Sequence, residues 1–226
     1  MKRFFSYLLI VVLLSLLVGC SQQEKKNAIL PPVRVGSGIM YMQLKRQHTV
    51  ESAFEEAYAV ARVKIGDWLG ENTEHELSYF KAVVMEEFKG DLPQSFALIQ
   101  DGCSTATQVG YPLFTAGNEL LLFLHKATGE EDYQPAYWIV GAFTTFMDVA
   151  YDAEGNRYYT DRYGLLCKNF FGCPNYTYDS TIGEELQIEQ SVRSYLISVD
   201  PYYEIMGYKF PKIYRGTDLE NYLRGL

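Results

Sequence analysis

Apolar positions fall into three regimes along this chain. Residues 4–18 form an apolar run interrupted only by Ser6, Tyr7 and Ser15, directly behind the cationic pair Lys2 and Arg3. Fifteen residues at about 1.5 Å rise reach about 22 Å as a helix, short of the roughly 30 Å hydrocarbon core of a bilayer. A short positive start, a core of this length and a small Gly19 at its end read as a secretory signal segment. Residues 21 to about 38 are polar, carry Pro31-Pro32 and lack periodicity. They read as a tether, with a first short strand possible over 39–44.

From about residue 49 the pattern becomes that of a folded body. Thr49 offers an N-cap to a helical turn over 50–57. Residues 58–65 then alternate, with Val60 on one face and Ala61, Val63 and Ile65 on the other, and Gly66 marks a place to bend. A polar loop over 70–76 leads to a second strand over 77–88. Lys89-Gly90-Asp91 turns the chain into a third strand over 95–100. After a longer loop, residues 119–124 form a nearly continuous apolar run, as expected of a strand covered on both sides. Strands over 136–141 and 146–151, a hairpin turn at Asp152-Ala153-Glu154-Gly155-Asn156 and a strand over 157–160 complete the set. Many short strands with no long helix between them predict a mainly β fold, a small antiparallel OB-like barrel with a short N-terminal helix.

The region after residue 160 differs. Twelve of the 19 tyrosines follow Ala150. A capping box at Thr181-Ile182-Gly183-Glu184 and a broad apolar face including Leu186, Val192 and Leu196 predict a helix over about 181–198. Asp200-Pro201 ends it, and residues 218–224 predict a final helical turn. The organisation expected is therefore a signal segment at 1–20, a tether at 21–48, the barrel at 49–160 and a tyrosine-rich, helix-containing extension at 161–226 packed on the barrel.

Two resemblances refine this. Leu17-Val18-Gly19-Cys20 resembles the lipobox of bacterial lipoproteins, which implies acylation of Cys20 and a protein held on the extracytoplasmic face of the cell membrane by lipid alone. The stretch 49–160 resembles a group of bacterial lipoproteins of uncharacterised function with an OB-like barrel. The residues that carry the likeness are Phe88-Lys89-Gly90-Asp91 and Gly117-Asn118-Glu119-Leu120-Leu121-Leu122-Phe123-Leu124. The same barrel type occurs in the tissue inhibitors of metalloproteinases and the netrin module. Those inhibitors chelate a target's zinc with a free N-terminal cysteine. Here the corresponding terminus, Cys20, is expected to be acylated and separated from the barrel by the tether, which departs from that mechanism.

Charge narrows the partners. Removing Lys2 and Arg3 from the 20 basic residues leaves 18 against 28 acidic ones, a net charge of −10. Such a surface disfavours nucleic acid, which attracts proteins mainly by cationic neutralisation of phosphate, and gives no electrostatic hold on anionic lipid. Three cysteines follow Cys20. Cys167 with Cys173 is the favoured disulfide, closing a short loop; Cys103 with either of them, or three unlinked thiols, remain open.

Candidate chemistry is sparse. His48, His75 and His125 have no neighbouring nucleophile turn, and Gly102-Cys103-Ser104 is not a nucleophile elbow. Glu86 and Glu87 face opposite ways on a strand, and Glu130-Glu131-Asp132 reads as a solvated loop. Neither makes a glycosidase pair. No cofactor or metal motif stands out. The tyrosines, Tyr163, Tyr176, Tyr178, Tyr202 and Tyr203 among them, either cement the tail to the barrel or form a binding surface. The reading is a non-enzymatic, membrane-anchored binding or interaction module whose partner is an envelope protein, peptide or glycan. A protease-inhibitor-like module and an envelope hydrolase are its competitors.

Overall fold

In the computed structural model, the described residues are 38–40, 46–108, 111, 113–129, 131–151, 155–161, 164, 166 and 212–226. The expected lipidation site Cys20, the pair Cys167 and Cys173, the helix over 181–198 and the tyrosines Tyr163, Tyr176, Tyr178, Tyr202 and Tyr203 lie outside them. Ten strands and two helices are described: β1 (Gly38–Met40), α1 (Val50–Glu56), β2 (Ala59–Asn72), β3 (Leu77–Lys89), β4 (Ser95–Asp101), β5 (Ala106–Gln108), β6 (Glu119–Lys126), β7 (Ala136–Ile139), β8 (Phe146–Tyr151), β9 (Arg157–Asp161), β10 (Lys212–Arg215) and α2 (Gly216–Gly225). None of the described helices is long and apolar enough to cross a membrane.

Strands β2, β3, β4, β7 and β6 close into a five-stranded barrel in that order, with β6 returning to β2. A three-strand meander, a long connection and a last strand wedged between the third and the fourth give the order of an OB-like barrel. Four of the five pairings are antiparallel, as expected. The β4–β7 pair is parallel, because β7 pairs antiparallel with β6 and closes the barrel by running alongside β4 in the same direction. Alternation decides what enters the interior. Ala59, Ala61, Val63 and Ile65 of β2 point in with Leu120, Leu122 and Leu124 of β6. The connection between β4 and β6 plugs the barrel with Tyr111, Leu113 and Phe114, whose rings stack edge-on at 5.8 Å (Tyr111–Phe114) and 5.4 Å (Phe114–Phe146). Its β5 pairs in parallel with β1 as a separate two-stranded ribbon.

The sheet forks at β6. One edge of β6 pairs with β2; along the other, Leu124–Lys126 meet β7 while Leu120–Leu122 meet β8. The jog between β7 and β8 turns at Gly141 (φ +62), against which the buried His48 ring packs. From β8 the sheet continues through β9 to β10, so the C-terminal residues add a strand that periodicity had not revealed. This wing faces the outer wall of the barrel. Val60, Leu121 and Phe123 from the wall, Val50 and Ala53 from α1, Met147, Tyr159 and Tyr214 from the wing, and Leu219 and Leu223 from α2 form a second core. β6 is thus buried on both faces, as its unbroken apolar run predicted, and Val60 sits opposite its neighbours in sequence.

Local rules are obeyed where they were legible. Thr49 caps α1 in a reciprocal box, its hydroxyl accepting from Ser52 N (3.2 Å) while Ser52 Oγ accepts from Thr49 N (2.9 Å). Register shifts between β2 and β3 bracket Gly66, where the long strand curls. β2 outlasts its expected end by several residues, running to Asn72, and α2 spans ten residues where a single turn was expected.

The Phe88-Lys89-Gly90-Asp91 turn now has a physical account. Phe88 packs against the second core. Lys89 Nζ donates to the carbonyls of Phe54 and Glu55, closing the C-terminal end of α1. Gly90 adopts φ +102, and a Cβ there would lie 2.6 Å from Ala59 Cβ and 2.8 Å from Tyr58 O. Only glycine satisfies both the torsion and the close approach. The motif is a joint between helix and barrel.

Candidate functional site

Outside the interior, a belt of guanidinium and carboxylate groups runs across the barrel–wing junction among the described residues. Arg62 stands on the outward face of β2, opposite Glu86 of β3. It reaches Glu86 at 3.5 Å and Glu119 of β6 at 3.2 Å although it is only 8% exposed. Glu86 in turn meets Arg157 of β9 at 3.5 Å and Arg224 of α2. Arg157 pairs with Glu220, which also accepts from the Tyr159 hydroxyl at 2.7 Å. Tyr151 Oη donates to Glu119 at 2.7 Å. Three arginines and three glutamates therefore alternate and balance.

The titration shifts follow from this arrangement. Burial, reinforced by Glu220, raises the Tyr159 phenol far above its ordinary value. Burial and Glu119 also raise Tyr151. Burial alone would lower Arg157, but Glu220 and Tyr159 hold it above its usual range. These shifts hold Tyr151 and Tyr159 neutral and Arg157 charged across the physiological range, and the belt orients α2 on the barrel.

Beside the belt lies a cleft of about 570 Å³ between the start of β9 and the β10–α2 junction, with Arg157, Arg215, Asn156, Thr217 and Glu220 in its walls. Gly216 lets the chain approach β9 closely: a Cβ there would sit 2.9 Å from the Arg157 carbonyl oxygen. Arg215 is exposed and makes no ion pair among the described residues. It occupies the N-cap position of α2 without capping it by a side chain, so the first-turn amides lack that partner.

The platform that barrels of this type commonly use, the outer face of the second and third strands, is covered at one end, while Lys81 and Met85 of β3 stay exposed. Tyr79, Ala97 and Ile99 are buried beneath the loop that follows β6. Tyr133 of that loop donates to Leu69 O at 2.6 Å, and Tyr79 Oη donates to Glu131 at 3.1 Å. Glu131 is thus a hydrogen-bond acceptor in a packed loop, where an ordinary solvated residue was expected. Burial and Glu131 push the Tyr79 phenol up to about 12.

The remaining residues singled out from the sequence are dispersed. Cys103 is buried and free, 3.0 Å from the Thr105 hydroxyl. Glu87 accepts from Leu92 N, facing away from Glu86 as alternation demanded. His75 stands in the β2–β3 hairpin, its backbone amide donating to Asn72 Oδ1. His48 and His125 both face Glu56, at 3.8 and 3.5 Å, with Arg46 at 3.2 Å on the same carboxylate. Among the described residues no three His, Cys, Asp or Glu side chains are arranged to hold a metal ion. Arg62, Arg157, Arg215 and Glu220 escaped the sequence reading. The available signal was Arg62, a charge set between the apolar residues Ala61 and Val63 on the same face as Val60. No protein-family model and no curated protein matches this sequence.

Proposed function

We propose that this protein is a non-catalytic binding module, anchored by lipid at Cys20 on the extracytoplasmic face of the cell membrane, with the Arg215 cleft as its working surface. The observation that carries the binding reading is the contrast between the cleft and its surroundings. The barrel interior is filled, its outer platform is covered at one end by its own loop, and the belt charges are matched, while Arg215 lines the cleft without a carboxylate partner among the described residues. The lipobox-like Leu17-Val18-Gly19-Cys20 supports the address. A binding cleft needs no enzyme-like convergence of titratable groups to be useful; it needs a ligand and a fixed place.

Mass spectrometry of the protein isolated from membranes tests the anchor: the expected N-terminal peptide begins at an acylated Cys20, and an unmodified terminus elsewhere refutes it. The binding reading is tested by screening the purified full chain against envelope extracts for turnover as well as capture. Saturable capture without chemical change is the expected result, and conversion of a substrate overturns it.

A further inference from the structure

We propose that the cleft between β9 and the β10–α2 junction takes an oxyanion, a carboxylate or a phosphate monoester, carried by a molecule of sugar or dipeptide size. This rests on the reading of the cleft as the binding surface and adds the chemistry of its ligand.

Size comes first: about 570 Å³ falls inside the roughly 300–1,000 Å³ of small-molecule sites. Charge comes next. The carboxylate in the wall, Glu220, is already neutralised by Arg157 and hydrogen-bonded by Tyr159. Arg157 is likewise spent on Glu220 and Glu86. Arg215 alone brings a charge to the cleft that no described carboxylate answers. A cationic ligand would meet an uncompensated guanidinium, and a neutral one would leave it unused. A planar oxyanion matches its fork of N–H donors in two places at once. The other groups available are of the same sense. Thr217 contributes a hydroxyl to the lining, and the first turn of α2, which carries no side-chain cap, begins beside it.

Titration calorimetry of the full chain in detergent micelles, with sodium phosphate and with glucuronate as probes and glucose as the neutral control, tests this. At least one anion is expected to saturate with a Kd of about 10 mM or tighter, and glucose not to bind. The phosphate and carboxylate arms tell the two sources of oxyanion apart. Arg215 is exposed, so Arg215→Gln is expected to fold, with an unchanged far-UV circular dichroism spectrum, and to weaken binding about tenfold. Arg215→Lys is expected to retain most of it. Amide shifts of Gly155 and Thr217 on adding anion locate the event independently of the variants. Anion affinity unchanged by Arg215→Gln, or no saturation by either anion up to about 50 mM, overturns the inference. Neither result touches the lipid anchor or the absence of turnover, which fail only by their own tests.

Discussion

Replacing Gly90 by alanine tests how tightly the helix, the barrel wall and the turn after β3 are locked together. Two penalties are expected. The first is torsional: φ +102 lies where an L-residue is held at a cost of about 1–3 kcal/mol. The second is steric, since the new Cβ would stand 2.6 Å from Ala59 Cβ, 2.8 Å from Tyr58 O and 2.9 Å from Ala59 Cα. Two of those atoms are backbone and cannot swing aside, so crowding adds about 1–3 kcal/mol. Together the cost is about 2–6 kcal/mol, a large part of the roughly 5–15 kcal/mol that keeps an ordinary domain folded. Gly117 supplies the control. Its φ is +95, yet a Cβ there meets nothing within 4 Å, so Gly117→Ala should carry the torsional cost alone. In urea unfolding followed by tryptophan fluorescence, with a slope of about 2 kcal/mol/M, the Gly90 variant should lose roughly 1–3 M of midpoint, about 0.5–1.5 M more than the Gly117 variant, which carries the torsional part only. Equal midpoints for the two variants would refute the steric argument, and a Gly90 variant as stable as the parent would refute both parts.

Three further outcomes follow from the packing and the belt. Glu220→Gln, at a carboxylate only 7% exposed, should cost about 2–3 kcal/mol, and a cycle with Tyr159→Phe should show coupling of about 1 kcal/mol; additivity within error would contradict the shared hydrogen bond. Leu121→Ala removes a fully buried side chain of the second core and should cost about 2–5 kcal/mol by the same urea assay, with a loss under 1 kcal/mol counting against a packed wall–wing interface. His48 is held below its ordinary value of 6.5, first by burial, with Arg46 and His125 adding to the effect and Glu56 opposing it. A lowered folded value means that the unfolded chain takes up the proton first, so this residue's contribution to stability is present above about pH 6.5 and is lost as pH falls toward the folded value. His48→Gln should therefore lose less stability than the parent between pH 7.5 and pH 5, and parallel losses would show that His48 does not titrate in this way.

Much of the barrel was legible because its signals are local. Thr49 at a helix start, alternation over β2, the apolar run of β6 and glycines at turns each act within a few residues, and short-range torsional and hydrogen-bonding preferences decide them. Even the two-sided burial of β6 could be read, since a strand that carries leucine and phenylalanine at successive positions has no face to spare for water. What failed was whatever depends on partners remote in the chain. β10 is a four-residue strand, too short to show a period, and exists because β9 offers it an edge. Glu131 looked like part of an acidic loop until Tyr79, 52 residues earlier, placed a hydroxyl against it.

The same division holds for the candidate site. By itself the sequence determined an apolar N-terminal run ending in Leu17-Val18-Gly19-Cys20, an acidic composition and a chain of strands that must bury alternate side chains. Tertiary structure decided which charges would meet. Arg62, Glu86, Arg157 and Glu220 are separated by 24 to 158 residues in sequence; the β2–β3 pairing sets Arg62 opposite Glu86, and the fork at β6, which lays the wing and α2 on the outer wall, brings Arg157 and Glu220 to them. It also decided which charge would be left over. A guanidinium's worth depends on the carboxylates around it through Coulomb's law over a few ångströms, and those distances are properties of the closed sheet that no spacing along the chain encodes.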